Sequence, residues 1–363
     1  MAGIKKGRTL YLLLAISLIA ACGGGGGSNN PNAPPGTGPY APNGLGRAAP
    51  IGSGAFQGAP QVAVSGNGDI FIAWVARTAG QQRIMVERFE DGAWRAPETI
   101  DGFTAQTQNG IYPSIAADAN GNAVAVWLQS DSSQQAPDLG SVWAARYTSS
   151  TGWSVPVRIM AVGQIVFLQA PHVAMNASGA ALAVWAQYDS VNGVDRIYAN
   201  RLPSGQTAWV GPTLIDRDAV ADHYAYAPYA ALDSDGNGVV AWNDYDRRSS
   251  PVDPDSIYAN RMSASGVWLG ASLVRTFAAG DELDSAAATG RPVQAVMVTT
   301  NHPLIAWSER SDQAVFGQIR LASFASASGW TSTDQGSSMA FSLSAGGGEA
   351  MLAVSRDTQN ANN

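Results

Sequence analysis

Short apolar runs with a period of two recur along this chain, each ended by Gly, Asn, Asp or Ser. Pro60-Gln61-Val62-Ala63-Val64 comes first, followed by the turn Ser65-Gly66-Asn67-Gly68-Asp69 and the almost wholly apolar Ile70-Phe71-Ile72-Ala73-Trp74. Alternation puts one face of a strand in a core, and an unbroken apolar run puts both faces there. Gly and Asn tolerate the positive φ of a tight hairpin, so these segments predict strand, turn, strand. A third run ends in arginine, as in Ile84-Met85-Val86-Glu87-Arg88. A Gly turn then leads to a fourth, Trp94-Arg95-Ala96-Pro97-Glu98-Thr99-Ile100.

This unit repeats. Its marker is a proline followed 14 residues later by tryptophan: Pro60/Trp74, Pro113/Trp127, Pro171/Trp185 and Pro228/Trp242, with Pro292/Trp307 one residue longer. A second tryptophan closes each unit, at Trp94, Trp153, Trp209, Trp268 and Trp330. Four short antiparallel strands, copied at this period, are the blade of a β-propeller. A sandwich would not repeat this way, and helical solenoids need a 3.6-residue apolar spacing that is absent. Five blades fill about 60–335, and a further hairpin at 339–355 replays the second strand in Ala350-Met351-Leu352-Ala353-Val354. Arg47-Ala48-Ala49-Pro50-Ile51 replays the fourth strand. The expected fold is therefore an all-β, six-bladed propeller over 46–356, its last blade closed by the N-terminal strand, which removes an exposed edge.

The ends read differently. Lys5, Lys6 and Arg8 precede an apolar run from Leu10 to Ala21 that is too short to span a bilayer. Residues 1–21 read as a signal peptide, and Ile19-Ala20-Ala21-Cys22 resembles the lipobox of bacterial lipoproteins. The resemblance implies cleavage before Cys22, acylation of its thiol and a lipid anchor in the membrane. Gly23 follows, where an aspartate retains some lipoproteins in the inner membrane, so the analogy favours the outer membrane, on its periplasmic or cell-surface side. The Gly/Pro/Asn-rich stretch 22–45 is a flexible tether reaching roughly 25 Å, and 357–363 reads as a disordered tail.

Both lysines and one arginine lie in the signal, which leaves 18 arginines against 28 acids, −10 for the mature chain. An acidic surface disfavours nucleic acid. Without lysine there is no Schiff base, and Cys22 is the only cysteine. His172, His223 and His302 fall in three different repeats, which disfavours a Ser-His-Asp triad or a multi-histidine metal site.

Asp233, Asp235 and Asn237 present alternate oxygen ligands in the first turn of the fourth unit. They are the candidate Ca²⁺ site, beside the plainer reading of an Asx turn; no other cofactor is expected. Arg88, Arg146, Arg201, Arg261 and Arg320 recur in every unit, which argues for guanidinium contacts between blades rather than an anion-binding ring. In the third turn, Ser149-Ser150-Thr151-Gly152-Trp153 and Ser263-Ala264-Ser265-Gly266-Val267-Trp268 stand where a box Ser-x-Asp-x-Gly-x-x-Trp would stand. Each blade there resembles the sialidase-type Asp-box propellers, with the aspartate missing. The sialidase arginine triad, Tyr/Glu pair and acid aspartate have no residue-by-residue counterpart, so no catalytic residue is carried over.

One propeller face collects the long, variable loops 129–141, 187–196, 216–227, 244–256 and 276–291, and binding residues concentrate in such loops. Tyr188, Asp189, Asp244, Tyr245, Asp246 and Arg247 are the candidate ligand-binding residues. Aromatic rings cover apolar sugar faces while carboxylates accept hydroxyls. The expected function is a membrane-anchored, monomeric binding or scaffold module for a glycan or protein partner. The alternative is a divergent sialidase-like glycoside hydrolase or lyase.

Overall fold

The computed structural model describes residues 59–355, without 79, 103–107, 132–139, 162–168, 217–222, 247–254, 279–280, 284–291, 312–316, 339 and 347. Cys22, the tether, the strand expected at 47–51, Arg247 and the tail at 357–363 lie outside the described residues. Among those described, all regular structure is β-strand, and no helix is long and apolar enough to cross a membrane.

Five antiparallel sheets match the five units. Sheet 1 comprises Gln61–Val64, Ile70–Thr78 and Gln81–Glu90, with Ala93–Trp94 and Glu98–Thr99 at its edge. Sheet 2 comprises Gln108–Ala117, Ala123–Asp131 and Gly140–Thr148, edged by Gly152–Trp153 and Val157–Arg158. Sheet 3 is His172–Met175, Ala181–Asp189, Val194–Leu202 and Thr213–Leu214. Sheet 4 is His223–Leu232, Gly238–Asp246, Ser256–Met262 and Trp268–Thr276. Sheet 5 is Val293–Thr299, His302–Ser311, Gly317–Ala325 and Gly329–Ser338, with Asp281–Leu283 added to its second strand. The last hairpin, Ala340–Gly346 with Glu349–Ser355, forms a two-stranded sheet.

The proline–tryptophan marker is a cross-strand register. Gln61 pairs with Ala73, Ser114 with Val126, His172 with Val184 and Tyr229 with Ala241, so each proline stands opposite its tryptophan. Proline has no N–H to give, and the ladder breaks there. In sheets 2 and 4 pairing resumes beyond a bulge, at Ile111 with Leu128 and Tyr226 with Asn243. The residues before those prolines, Tyr112 and Ala227, take φ of 54° and 53°. In sheet 5 Trp307 pairs with Val293 instead, which accounts for the longer spacing.

Alternate residues of each second strand go to opposite neighbours. Ala123, Ala125 and Trp127 pack on Phe71, Val75 and Ile84 of sheet 1, whereas Val124, Val126 and Leu128 pack with Val173, Ala183 and Trp185 of sheet 3. Trp242 meets sheet 3 and Trp307 meets sheet 4 in the same way, and Phe341 and Leu343 of the last hairpin cover Ala306 and Ile319. Trp127, Trp185, Trp242 and Trp307 are all 0% exposed. Burying one such side chain, with 150–250 Å² of surface, contributes about 4–6 kcal/mol.

Fourth strands were expected to be continuous, and in sheets 1 to 3 they are not. Pro97, Pro156 and Pro212 fall inside them, and only two-residue pieces pair. Sheets 4 and 5 have no proline there and keep Trp268–Thr276 and Gly329–Ser338 whole.

Trp185→Ala is expected to cost about 3–5 kcal/mol, seen as a fall in the urea midpoint. Val155→Ala, at a site 83% exposed, should stay within about 0.5 kcal/mol of wild type. Equal midpoints for the two variants would contradict the stacking just described.

Candidate functional site

The second and third strands of sheet 3 meet in a tight hairpin that Asp189 closes. Its carboxylate accepts the Val191 and Asn192 N–H groups at 3.0 and 3.3 Å and the Asn192 side-chain amide at 2.6 Å. Gly193, at φ 71°, supplies the left-handed residue that the turn requires. The Tyr224 hydroxyl, from the first strand of sheet 4, donates to Gly193 O at 3.1 Å and ties the hairpin to the next sheet.

Arg196 sits on the inner side of this turn. It holds Asp216 in a two-pronged pair, Nε to Oδ2 at 2.7 Å and Nη2 to Oδ1 at 2.6 Å, and the Ile197 N–H adds a third bond at 3.1 Å. Its other terminal nitrogen lies 3.9 Å from Asp189 Oδ2. Asp244, 4% exposed on the second strand of sheet 4, is close enough for its charge to act on Asp216. A line of charge, Asp189, Arg196, Asp216 and Asp244, thus crosses from sheet 3 to sheet 4, with Tyr198 beside it.

Environment separates the acids. The bond from the Asn192 amide holds the Asp189 carboxyl below the ordinary carboxylate range; burial opposes it, and the turn N–H groups and Arg196 add to it. Burial pushes Asp216 up, Arg196 pulls it down by less, and the Asp244 charge pushes it further up. Its fork to Arg196 has the distances of an ionised pair. Burial lowers the Arg196 guanidinium, yet the bonds and charge of Asp216 more than offset that and raise it. Tyr198 is raised first by burial and then by Asp189.

Of the six predicted ligand residues, Tyr188, Asp189 and Asp244 come to this region. Tyr245 and Asp246 continue the same strand of sheet 4 opposite Tyr224 and His223, and Arg247 lies outside the described residues. Sequence reasoning missed Arg196 and Asp216. The signal was there: Arg196-Ile197 and Ile215-Asp216 repeat Arg83-Ile84 and Ile100-Asp101 of sheet 1, where Arg83 grips Asp101 at 2.5–3.0 Å and the Ile84 N–H reaches it at 2.8 Å.

Asp233, Asp235 and Asn237 do come together, as an Asx turn. Asp233 Oδ1 accepts the N–H groups of Asp235 and Asn237, and Oδ2 accepts the Asn237 amide and the Asn301 N–H of the next sheet. The Asn237 side-chain oxygen Oδ1 accepts the Ala264 N–H, and Asp235 accepts the Thr300 hydroxyl. These acceptors are turned to donors, and a Ca²⁺ ion there would have to displace them. Among the described residues no group of three or more His, Cys, Asp or Glu side chains is placed to hold a metal. In the third turns hydroxyls accept the turn N–H groups: Ser263 Oγ accepts Val267 N–H, and Thr148 Oγ1 accepts Thr151 N–H.

No family model and no curated protein matches the sequence. Solved structures do. The α-L-arabinofuranosidase Arb93A from Fusarium graminearum matches with a TM-score of 0.51 at 9% identity, over 84% of this chain and 93% of its own. The polysaccharide lyase Uly1 matches with a TM-score of 0.50 at 11% identity, over 82% of this chain and 74% of its own. At that identity the likeness is one of fold. With successive four-stranded antiparallel sheets packed face to face, it makes the chain an all-β protein of the β-propeller class.

Asp189 gives a pH test. Its folded pKa is depressed, so its stabilisation is full above the unfolded value of about 3.9 and is lost as pH falls through the lower folded value. Asp189→Asn keeps an acceptor but no charge. The stability gap between wild type and variant should hold steady above pH ~5 and close below pH ~4. Urea midpoints across this range measure it; a gap that does not shrink on acidification would refute the charge assignment.

Proposed function

We propose that this chain is a lipid-anchored propeller of the outer membrane that recognises a glycan or protein partner through its loop face. The observation that carries the reading is the convergence of Asp189, Arg196, Tyr198, Asp216 and Asp244 at one end of sheets 3 and 4. There, rings and carboxylates are held on strands rather than on free loops. Such groups suit a sugar, whose apolar face takes an aromatic ring and whose hydroxyls take acids and arginine. The module acts as a monomer tethered by acylated Cys22, with 22–45 as spacer.

In this reading the ring has six blades, the last completed by residues near 47–51. Two features support it. Ile72 and Trp74, whose neighbours Phe71, Ala73 and Val75 face sheet 2, are each only 3% exposed on their other face. The last hairpin has two strands among the described residues, and its Met351 is 40% exposed, unlike the second strands of the full sheets.

A second reading is favoured by Asp244 beside the Asp216–Arg196 pair: two acids and an arginine are the parts of a glycoside-cleaving site. Arb93A and Uly1, by their names a glycosidase and a polysaccharide lyase, show the same fold in use on glycans. A glycan array probed with the Cys22→Ser protein, followed by turnover assays on any hit, separates the two. Tyr188→Ala, Tyr245→Ala and Asp246→Ala should each weaken binding by about tenfold or more with the melting temperature unchanged. Hydrolysis that disappears in Asp244→Asn or Asp246→Ala would replace the binding module by the enzyme.

Anchoring and closure have their own variants. Cys22→Ser should leave the membrane pellet after a salt wash, because an acylated lipoprotein holds by two or more chains. Deleting 46–53 should lower the melting temperature, whereas deleting 23–32 should not. Persistent sedimentation would refute the anchor, and equal melting of the two deletions would refute closure.

A further inference from the structure

Arg88, Arg146, Arg201 and Arg261 share one register on the third strands, opposite the residue three places before tryptophan. Arg320, expected to complete the series, pairs with Trp307 itself, and Ser323 holds the equivalent place in sheet 5. Arg88 pairs with Glu98 at 2.8 Å and Glu90 at 2.9 Å. Arg146, Arg201 and Arg261, on the next three sheets, have no carboxylate partner among the described residues. Each instead makes a neutral contact with the following sheet. Arg146 Nη1 donates to Gln206 O at 3.4 Å, Arg201 Nη1 donates to Ala264 O at 3.2 Å, and the Arg261 guanidinium lies 3.6 Å over the Phe324 ring.

The register explains the difference. Glu98 pairs with Val86, two residues before Arg88. In the same place beside Ala144, Ala199 and Ala259 stand Val157, Thr213 and Ser272. Sheets 2 to 4 keep the arginine and lack the acid. A guanidinium carries five N–H donors, and a single carbonyl contact leaves most of them unused. Burial alone lowers the Arg261 pKa, with no charge acting on it.

These three cations lie on consecutive sheets of a mature chain whose net charge is −10. We propose that Arg146, Arg201 and Arg261 bind a linear acidic polysaccharide, one carboxylate or sulfate to each sheet. The guanidinium fork matches either anion. Sugar rings space such charges apart, so they meet the arginines without crowding negative charge over the acidic remainder. A nucleic acid, with a charge per ~1.7 Å of duplex, would not. Val155, Val157 and Val210, 83%, 47% and 66% exposed on the neighbouring fourth strands, offer apolar surface to the rings. The site is separate from the loop face: Arg201 lies five residues along its strand from Arg196, about 16 Å away.

The full-length protein in detergent would be run by affinity electrophoresis through polygalacturonate, dextran sulfate, neutral dextran and oligothymidylate. Retardation by polygalacturonate, dextran sulfate or both, weakening with salt, is expected; whichever acts identifies the anion. The paired variant Val157→Glu with Thr213→Glu gives Arg146 and Arg201 the partner that Arg88 has, while leaving their packing in place. It should weaken retardation by about tenfold or more at an unchanged or higher melting temperature. Arg201→Lys should lose part of the effect, and Arg95→Ala, at an arginine of sheet 1 already paired with Glu90 and Asp91, should lose none. No retardation by either polyanion, full retardation of the paired variant, or equal retardation by oligothymidylate would overturn the proposal.

Discussion

Everything in this molecule depends on burying both faces of each second strand. A strand such as Ala123–Asp131 is almost wholly apolar and cannot be satisfied by its own sheet. It needs one neighbour for Trp127 and another for Val126 and Leu128. Sheets therefore stack in sequence order, and sheets 2 to 4 are each stabilised by the two beside them, which is the nearest-neighbour logic of repeat proteins. The arginines on the third strands of sheets 1 to 4 and the Asx turns after the first strands of sheets 2 to 4 are fitted around that stack. Asn176 donates to Asp233 O at 2.9 Å, and the Ala119 N–H to Ala177 O at 3.2 Å, so turns as well as faces are joined from sheet to sheet.

The two ends of the strands serve different purposes. At the turn end, donors and acceptors meet in closed sets, and Gly66 approaches the neighbouring turn so closely that an added Cβ would lie 2.8 Å from Ala119 Cα. At the loop end, the residue two places after tryptophan is polar and buried in four sheets: Gln129, Gln187, Asp244 and Glu309. Gln187 and Glu309 accept the indole N–H of their own tryptophan at 3.2 and 3.3 Å. Glu309 is gripped further by Arg275, at 2.9 Å to each oxygen, and by Arg320. Asp244 carries the same position into the neighbourhood of Asp216 and Arg196. A core contact and a candidate ligand group thus occupy equivalent places in different sheets.

The stack was legible in the sequence because period-two alternation and a tryptophan at fixed distance from proline are consequences of the register itself. Arg88, Arg146, Arg201 and Arg261 were legible as contacts between sheets for the same reason. Arg320 was not of that set: it stands opposite Trp307 and pairs with Glu309 and Asp334 of its own sheet. The broken fourth strands could have been foreseen from Pro97, Pro156 and Pro212. The charged line at sheets 3 and 4 was harder to see. Asp216 and Arg196 are 20 residues apart and look like loop ends; only the backbone bond from Ile197 shows that they form one unit. Asp189 reads as a ligand group from its place before a loop; that it also caps a tight turn shows only in the bonds from Val191 and Asn192.

The proline opposite each tryptophan has a mechanical consequence. A strand paired without interruption transmits a shift at one end to the other, because every carbonyl is tied to the partner strand. The missing N–H cuts that transmission at the same level in sheets 2 and 4. Residues beyond the break, 108–111 and 223–226, are paired only to the loop-side ends of their neighbours. Substitutions there can reshape the mouth of the molecule while the tryptophan layer stays in register. The proline works as a clutch, letting the loop end of these sheets drift in sequence independently of the core that carries it.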